Sequence, residues 1–429
     1  MNPRDLLLES FRAALTAADP LLVVPPHLPP PPKGRTWVVG AGKAAAAMAQ
    51  AVDRAWPADK PLAGLVITRY AHGYADDAAP RRIRIVEAGH PVPDDAGLRA
   101  SEEVLALVRS AGADDLVLAL ISGGGSSLLS LTADDVLPAD LKSLTRDLLK
   151  SGAPIRDMNI VRKHLSRIQG GQLAAASAAP VCALIISDVT GDDASAIASG
   201  PTAPDPSTFG DALDILHRYR ISPPMSIARR LSNGARGDVA ETPKPGDAVF
   251  ARVENRIVAT AHASLAMAAA YFQQHGVTPL VLGDSVTGEA REVAKVYGAL
   301  ARQIRAHHHP VRPPVALISG GECTVSLPPD GAGRGGRCSE FLLSLAIDLD
   351  GMERVAALAC DTDGIDGSED NAGAVLLPDA LRRAEVLGVS AREKLDRNDA
   401  YGFFQALNDL VVTGPTRTNV NDYRAILVL

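Results

Sequence analysis

The sequence predicts an α/β protein of two domains, each built on a mainly parallel sheet flanked by helices. Its 429 residues are more than one ordinary core holds. Only 4% of them are aromatic, so the cores must be built from Ala, Val, Leu and Ile, which suits closely packed α/β layers. Short apolar runs also alternate with helical ones, as they do where helices cover a parallel sheet.

The elements follow one another in a regular order. An amphipathic helix comes first, with Leu7, Phe11 and Ala14 on one face, and a proline-rich connector follows it. Strands are then predicted in TWVVGAG, LAGLVITRY, RIRIVEAG, LVLALISGGG and VCALIISDVT, and helices in KAAAAMAQAVDRA and GLRASEEVLALVRSA. The strand runs are almost continuously apolar, which is typical of strands buried on both faces.

A segment rich in Pro, Gly and charge, residues 221–250, separates this series from a second one. The second series predicts strands in RIVATA, TPLVLGD, PVALISGGECTVSL and RVAALACDTDGIDG. We therefore divide the chain into domains 1–240 and 241–429. Each domain has a strand that ends in Ser-Gly-Gly, and such strand ends bind ligands in open α/β sheets. The sequence thus predicts a site in the cleft between the domains.

Composition excludes several classes of protein. The net charge of −7 argues against a general binder of nucleic acid or of anionic membranes. The four cysteines form no C-x-x-C pair, and two of them lie in strand-like runs, so we expect reduced thiols rather than a disulfide framework. The first residues lack the pattern of a signal peptide. We expect a cytoplasmic protein that acts on small molecules, as a monomer or a homo-oligomer.

The stretch WVVGAGKAAAAMAQ places Gly40, Gly42 and Lys43 where a strand turns into a helix. Gly40-x-Gly42-x-x-Ala45 fits a relaxed dinucleotide fingerprint, but the next predicted strand ends in Arg69-Tyr70 and not in the expected acid. A helix start favours anions over cations, so Lys43 is best explained by a phosphate that it neutralises. The alternative is a surface lysine beside a packing turn.

The stretch ISGGGSSLL follows another predicted strand. Gly123, Gly124 and Gly125, between Ser122 and Ser126, form an anion-binding nest with hydroxyl groups beside it. The spacing of a Walker loop is absent. A tight strand-to-helix turn is the alternative, although three glycines cost more chain entropy than such a turn requires.

Basic and acidic side chains flank the predicted strand VCALIIS. The helix MNIVRKHLSRIQGG carries Arg162, Lys163 and His164, which either grip a carboxylate or phosphate or form a solvated face. Asp188 lies at the strand end and Asp193 just beyond it. They suit Mg²⁺, or one of them suits a base acting on a hydroxyl group, and Asx turns or helix caps are the alternative.

In the second domain, GAGRGGRCSEF offers Arg334 and Arg337 on a glycine-rich loop. Such a loop lets guanidinium groups close over phosphate oxygens, whereas a flexible hairpin tip is the alternative interpretation.

The order of these motifs carries a resemblance. GAGKAAAAMA, GHPVPD, LISGGGSSLL, NIVRKHLS, SDVTGDD, SGGECTV, GRGGR, TDGIDG and GPTRTNVND resemble the type-2 glycerate kinase family with its C-terminal MOFRL domain, from about Trp37 onwards. The resemblance implies a Rossmann-like N-terminal domain, a MOFRL-type C-terminal domain, and phosphorylation of D-glycerate to 2-phosphoglycerate with ATP and Mg²⁺. Many members of the family have been labelled hydroxypyruvate reductases.

The resemblance also implies roles for single residues. The catalytic lysine falls on Lys43 and the phosphate-contacting arginine on Arg337. The Ser122–Ser126 turn and the VRKHLS helix line the substrate pocket. Cys338 follows Arg337 where the family has asparagine, and Gln169 stands where lysine is expected.

Three functions remain to be distinguished. A kinase uses Lys43 and Arg337 on the transferred phosphoryl group, with Asp188 and Asp193 near Mg²⁺. An NAD(P)H-dependent hydroxypyruvate reductase needs a true fingerprint at Gly40–Ala45 and a general acid, for which His164 is the candidate. A non-catalytic sensor of sugar acids keeps the glycine turns but tolerates the loss of Lys43.

Overall fold

A computed structural model describes residues 2–74, 78, 80–327 and 333–429. The chain forms two compact units. One consists of residues 20–258, and the other joins the first 19 residues to residues 259–429.

The first unit contains a six-stranded sheet with the order β3-β2-β1-β4-β5-β6. Its strands are β1 Thr36–Ala41, β2 Leu62–Arg69, β3 Ile83–Ala88, β4 Leu116–Ile121, β5 Val181–Ile186 and β6 Val253–Ala259. Strands β1 to β5 pair in parallel, as predicted. Every residue of β4 and β5 is buried, which explains their continuously apolar sequences. This strand order reverses direction between β1 and β4, and open α/β sheets bind ligands at such a switch point.

Strand β6 differs from the prediction, which placed RIVATA in the second series. It forms the edge of the first sheet, because Val253 and Ile257 pack against the core around β4 and β5.

The second unit has a mixed sheet with the order β13-β12-β11-β14-β9-β7, beside a two-stranded ladder of β8 and β10. Its strands are β7 Thr278–Gly283, β8 Gly288–Glu289, β9 Val315–Ser319, β10 Cys323–Thr324, β11 Val355–Asp361, β12 Gly373–Leu376, β13 Leu410–Val411 and β14 Asp422–Val428.

The expectation of a mainly parallel second sheet needs correction. Only β7 and β9 pair in parallel in the six-stranded sheet, and its other pairings are antiparallel. Strands β11 and β12 are joined by an acidic loop without a helix, and a parallel pair needs a longer crossover connection, usually a helix. The α/β class itself is confirmed.

Sixteen α-helices occur in the described residues. They are α1 Pro3–Thr16, α2 Pro20–Val23, α3 Ala45–Ala55, α4 Asp95–Ser110, α5 Gly125–Leu128, α6 Pro138–Lys150, α7 Ile155–His164, α8 Gln172–Ala175, α9 Phe209–Arg218, α10 Met225–Ala235, α11 Ala261–Gln274, α12 Ala290–His307, α13 Arg337–Leu349, α14 Ala380–Val386, α15 Ala391–Asp396 and α16 Ala400–Ala406. No helix in these described ranges is long and apolar enough to cross a membrane.

Helix α1 is amphipathic, as predicted, but it belongs to the second unit. Leu7, Phe11 and Ala14 are buried in the same core as Phe272 of α11. The hydroxyl group of Tyr423 donates to Ser10 Oγ at 2.8 Å, and its ring stacks on Phe11. The division at 240/241 stays a prediction, whereas the compact units change near residue 258.

Candidate active site

Two predicted turns meet at the switch point of the first sheet. Strands β1 and β4 are parallel neighbours, so the turn after each lies at the same edge. The Lys43 amide donates to Gly123 O at 2.8 Å, and the Ala44 amide donates to Ser122 Oγ at 3.0 Å. The Ser122 amide in turn donates to Ala41 O at 3.1 Å. The two glycine-rich turns therefore form one hydrogen-bonded unit, which we call the Lys43 turn pair (residues 40–44 and 122–126).

Close packing explains why Gly40 and Gly42 are glycines in the turn pair. Gly42 has a φ of +139°, and a Cβ there would collide with the side chain and backbone of Ser122. Gly40 lies within β1 against the backbone of Leu120. A side chain at either position would push β1 and β4 apart, so the turn pair requires both glycines.

The side chains of Lys43 and His90 flank Gly124. A Cβ on Gly124 would lie 2.8 Å from His90 Nε2 and 3.5 Å from Lys43 Cγ. Gly124 has a φ of +79°, which favours glycine in any case. Sequence reasoning assigned no role to His90. Its signal was the motif GHPVPD, whose histidine follows the end of β3 at Ala88.

Ser126 and Gln169 tie the turn pair to the segment after β5. Ser126 Oγ lies 2.9 Å from Ser199 Oγ, and Gln169 Nε2 donates to Ser126 O at 2.9 Å. The buried Gln169 amide thus holds the turn at the position where lysine was expected. Ala198 and Ser199 both have positive φ, a strained conformation for residues with a side chain.

The predicted carboxylates lie in the loop after β5, the strand next to β4. Asp188 is half-buried two residues beyond the strand end. Asp193 is exposed, and its Oδ1 accepts a hydrogen bond from the Ser195 amide at 2.8 Å. Asp193 therefore caps a turn, as its alternative interpretation stated, while Asp188 lies at the edge of the sheet that carries the turn pair.

The carboxylates of this loop belong to the class of ligand that Mg²⁺ takes. No group of three His, Cys, Asp or Glu side chains in the described residues could form a metal cage. Mg²⁺ commonly takes only one or two protein carboxylates and completes its shell with phosphate oxygens and water. Asp188 and Asp193, both in the loop after β5, are carboxylates of this chemical class.

Two of the three basic residues predicted for the site on α7 have partners within the first unit. Lys163 is buried, and its ammonium lies 3.5 Å from Asp205 Oδ1. Burial alone would raise the pKa of Asp205, but Lys163 and the Ser207 hydroxyl lower it below the usual value. His164 is fully buried; Nδ1 lies 2.8 Å from Ile160 O, and Nε2 lies 3.2 Å from Glu241. Both side chains hold α7 in place.

Arg162 has a different environment. Its side chain is half-buried, and in the part of the chain that the structure describes, its guanidinium group makes no hydrogen bond or ion pair. Burial lowers the pKa of Arg162. A desolvated guanidinium group without a protein anion is suited to an anionic ligand.

In the second unit, Arg337 is the first residue of α13 and contacts three carboxylates. Its Nε donates to Asp422 Oδ1 at 2.8 Å and one terminal nitrogen donates to Asp361 Oδ2 at 2.6 Å. The other terminal nitrogen lies 3.1 Å from Glu322 Oε1. Burial would lower the pKa of Arg337, but the three carboxylates raise it above the usual value. Of these three carboxylates, Glu322 is the exposed one, with 56% of its side chain accessible, whereas Asp361 and Asp422 are buried.

Arg334 has other partners than Arg337. It forms an ion pair with Glu369 at 2.7 Å and lies over the ring of Tyr401. The carboxylate of Asp366 accepts hydrogen bonds from the backbone amides of Cys338 and Ser339 at the start of α13. The Cys338 side chain is buried in the core, so the thiol at this position makes no use of the polar contacts that an asparagine amide offers.

Comparison with known proteins extends these observations. Residues 6–232 match the model of a domain of unknown function, DUF4147, and residues 315–422 match the MOFRL family. An Agrobacterium vitis protein that carries a hydroxypyruvate reductase name is 50% identical over 100% of this chain and 95% of its own. The glycerate 2-kinase of Pyrococcus horikoshii is 37% identical over 91% of this chain and 86% of its own.

A solved structure gives the same result. The crystal structure of glycerate kinase from Thermotoga maritima superposes with a TM-score of 0.86 at 36% identity, covering 99% of both chains. The glycine turns, their order along the chain and these similarities agree: the chain belongs to the glycerate 2-kinase family, in which a DUF4147 domain precedes a MOFRL domain.

Proposed function

We propose that the protein transfers the γ-phosphoryl group of ATP to the 2-hydroxyl group of D-glycerate, giving ADP and 2-phospho-D-glycerate. The observation that carries this proposal is the Lys43 turn pair. Two glycine-rich turns are hydrogen-bonded to each other at a sheet switch point, with a lysine on one of them. Turns of this kind approach phosphate oxygens closely, and the lysine neutralises their charge.

The transfer forms a bond between the glycerate O2 and the γ-phosphorus and breaks the bond between that phosphorus and the bridging oxygen of ADP. Little covalent chemistry falls to the protein, which positions the groups and stabilises charge on the equatorial oxygens. Lys43 supplies positive charge for these oxygens. Arg337 is proposed as a phosphate ligand through the terminal nitrogen that faces Glu322. The proton of the 2-hydroxyl group passes to Asp188 or to water.

Asp188, with Asp193, is proposed to hold Mg²⁺, which when bound neutralises charge on the ATP phosphates. A second role for Asp188, as the base, is compatible with the same position at the strand end. The four cysteines are free and buried, which suits the proposed cytoplasmic location.

Arg162 is proposed to bind the glycerate carboxylate. Lys163 was its competitor for this role, but the Lys163 ammonium already faces Asp205. A hydrogen bond to a charged group contributes about 1.5–3 kcal/mol. We therefore expect Arg162→Met to raise the KM for D-glycerate about tenfold or more, with little change in the KM for ATP, in steady-state kinetics. An unchanged KM for D-glycerate would remove Arg162 from the site.

The reductase alternative loses its general acid. His164 is fully buried, and both of its ring nitrogens face protein oxygens. The reductase name of some relatives therefore finds no support in the geometry around this histidine.

The test is release of ADP by purified protein given Mg-ATP and D-glycerate, with a control that lacks glycerate. An enolase-coupled assay of the product separates 2-phosphoglycerate from 3-phosphoglycerate. NADH or NADPH oxidation with hydroxypyruvate is measured on the same preparation. Glycerate-dependent ADP without hydride transfer supports the kinase, and the opposite result replaces it with the reductase.

Lys43→Met tests the residue that carries the proposal. We expect kcat to fall at least about 100-fold, the scale on which one charge-stabilising donor contributes to a transition state. Lys60→Met is the matched control, because Lys60 is an exposed lysine of the same unit. Equal activity of the two variants would contradict the role of Lys43.

A further inference from the structure

Asp361 and Asp422 face each other across two strands of the second sheet. They are directly paired in the antiparallel register of β11 and β14, and their side chains are only 3% and 0% exposed. Like charges in this position repel each other. Arg337 lies against both, with Nε on Asp422 and a terminal nitrogen on Asp361. The orientation of the Arg337 guanidinium therefore depends on where these two carboxylates are held.

A second arginine holds one of the carboxylates. Arg424, on the same strand as Asp422, donates to Asp422 Oδ2 at 2.6 Å, while Oδ1 accepts from Arg337. The Asp422 carboxylate is thus a bridge between two guanidinium groups. Arg424 is fully buried and its guanidinium lies over the ring of Phe341. It has no access to a substrate in this position.

Arg424 also reaches the second Ser-Gly-Gly turn, residues 319–322. A terminal nitrogen donates to Gly320 O at 2.9 Å, and Ser319 is its direct partner across β9 and β14. This turn carries Glu322, the exposed partner of Arg337. One buried side chain is therefore bonded both to the carboxylate that orients Arg337 and to the turn beside it.

We propose that Arg424 is a positioning residue for phosphoryl transfer: through Asp422, it fixes the Arg337 guanidinium so that one terminal nitrogen faces the exposed Glu322. This inference rests on the proposed function, since it takes Arg337 as a phosphate ligand. Without Arg424, the Asp422 oxygen that it contacts is buried without a cation, and Arg337 is the cation that remains beside this carboxylate. Arg337 is then drawn further towards Asp422 and away from Glu322.

Orientation, rather than stability, is the distinctive effect of such an arrangement. Removing Arg424 alone also costs stability, because it leaves charge on the buried Asp422 carboxylate less well compensated. A positioning role must therefore be separated experimentally from a loss of folding. A double-mutant cycle between positions 424 and 337 makes that separation, because residues that act through one another show non-additive effects.

The cycle uses the full-length chain with Arg424→Met, Arg337→Lys and the double variant. Lysine at position 337 lacks the guanidinium Nε–H group that donates a hydrogen bond to Asp422. The substitution therefore removes the contact through which Arg424 acts. We expect R424M to lower kcat at least tenfold in the wild-type background, with the KM for D-glycerate unchanged within twofold. In the R337K background, R424M should change kcat by less than twofold.

Tyr297→Phe is the matched control. The Tyr297 hydroxyl group is buried and donates to Ser319 Oγ at 2.7 Å, so this variant disturbs the same core without a contact to Asp422. We expect its melting temperature to fall while kcat changes by less than twofold. Melting temperatures of all variants are measured in parallel. Should R424M not fold, R424K enters the same cycle, with the same comparison of backgrounds.

The outcomes distinguish this inference from the proposed function. If R337K lowers kcat but R424M does not, or if the two effects multiply, Arg424 is not a positioning residue and the kinase proposal stands. If Y297F lowers kcat as much as R424M, the effect is a general one of the core, and the inference also fails. If R337K and K43M both retain full kcat, the proposed site is wrong and the inference falls with it.

Discussion

The two Ser-Gly-Gly turns of this protein have nearly the same sequence but are stabilised in different ways. The turn at 122–126 is held by neutral groups, namely the Ser122 hydroxyl, backbone amides and the Gln169 amide. The turn at 319–322 is held by the buried Arg424 guanidinium, and its Glu322 pairs with Arg337.

The same strand-end motif thus occurs beside two different cationic side chains, the ammonium of Lys43 and the guanidinium of Arg337. The turn after β4 is held through backbone amides, one hydroxyl group and one side-chain amide. Around Arg337, the protein supplies two buried carboxylates and an exposed one, so the orientation of the guanidinium is fixed by ion pairs. The first turn should therefore be sensitive to shape and the second to charge.

Removing the Asp422 carboxylate, on β14 beside the second turn, should have the largest effect on stability. Asp422→Asn removes the buried carboxylate that contacts both Arg337 and Arg424. Breaking a buried ion pair costs about 3–5 kcal/mol of the free energy of unfolding. Ser122→Ala removes one acceptor of the Ala44 amide and should cost about 1–3 kcal/mol. Urea unfolding measures both free energies.

Asp238→Asn is the control for this comparison, because the Asp238 side chain is exposed and should change the free energy of unfolding by less than about 0.5 kcal/mol. A cost for S122A as large as that for D422N would show that the two turns do not differ in this way.

Changing shape in the first turn should chiefly affect activity. In Gly124→Ala, the new methyl group meets His90 Nε2 beside Lys43, so we expect kcat to fall at least tenfold. The left-handed backbone adds a cost of about 1–2 kcal/mol in stability. Kinetics and urea unfolding are measured on the same preparation.

Gly152→Ala isolates the contribution of the contact. Gly152 has a φ of +73°, close to that of Gly124, but a Cβ there meets nothing within 4 Å. We expect a similar loss of stability with kcat unchanged. If G152A and G124A have equal kcat, the neighbourhood of His90 and Lys43 is not sensitive to shape.

The smallest effect on stability is expected at Glu322. Its side chain is 56% exposed, and exposed ion pairs contribute about 0–1 kcal/mol. Glu322→Gln should free the Arg337 terminal nitrogen that faces Glu322 to bind phosphate. We therefore expect the KM for ATP to fall about threefold. Glu292→Gln, an exposed acid paired with Lys295 in the same unit, should leave this KM unchanged. A raised KM in E322Q would mean that Glu322 helps binding.

The sequence was sufficient for the local features. Apolar runs ending in glycine predicted β1, β4 and the turns after them, because a buried strand and a tight turn each leave a signature in adjacent residues. The amphipathic pattern of α1 was equally direct. These features depend on neighbours in the chain, and the structure contains them as predicted.

Long-range pairing set the limit of prediction. The sequence pattern places Lys163 and His164 on a helix but does not indicate their partners. Asp205 and Glu241 are distant in the sequence and contact them in the folded protein. The residues next to Arg337 in the sequence do not predict its contact with Asp422. Asp422 lies beside Arg337 because β11 and β14 pair. The antiparallel second sheet was missed for the same reason.

The position of α1 has a consequence for synthesis on the ribosome. This helix is made before residues 20–258, yet its apolar face packs in the core that contains α11 and β14. At usual elongation rates, it waits on the order of ten seconds to a minute for these partners. During that time its leucines and Phe11 are exposed, so the nascent chain should bind chaperones through this first helix until the second unit closes over it.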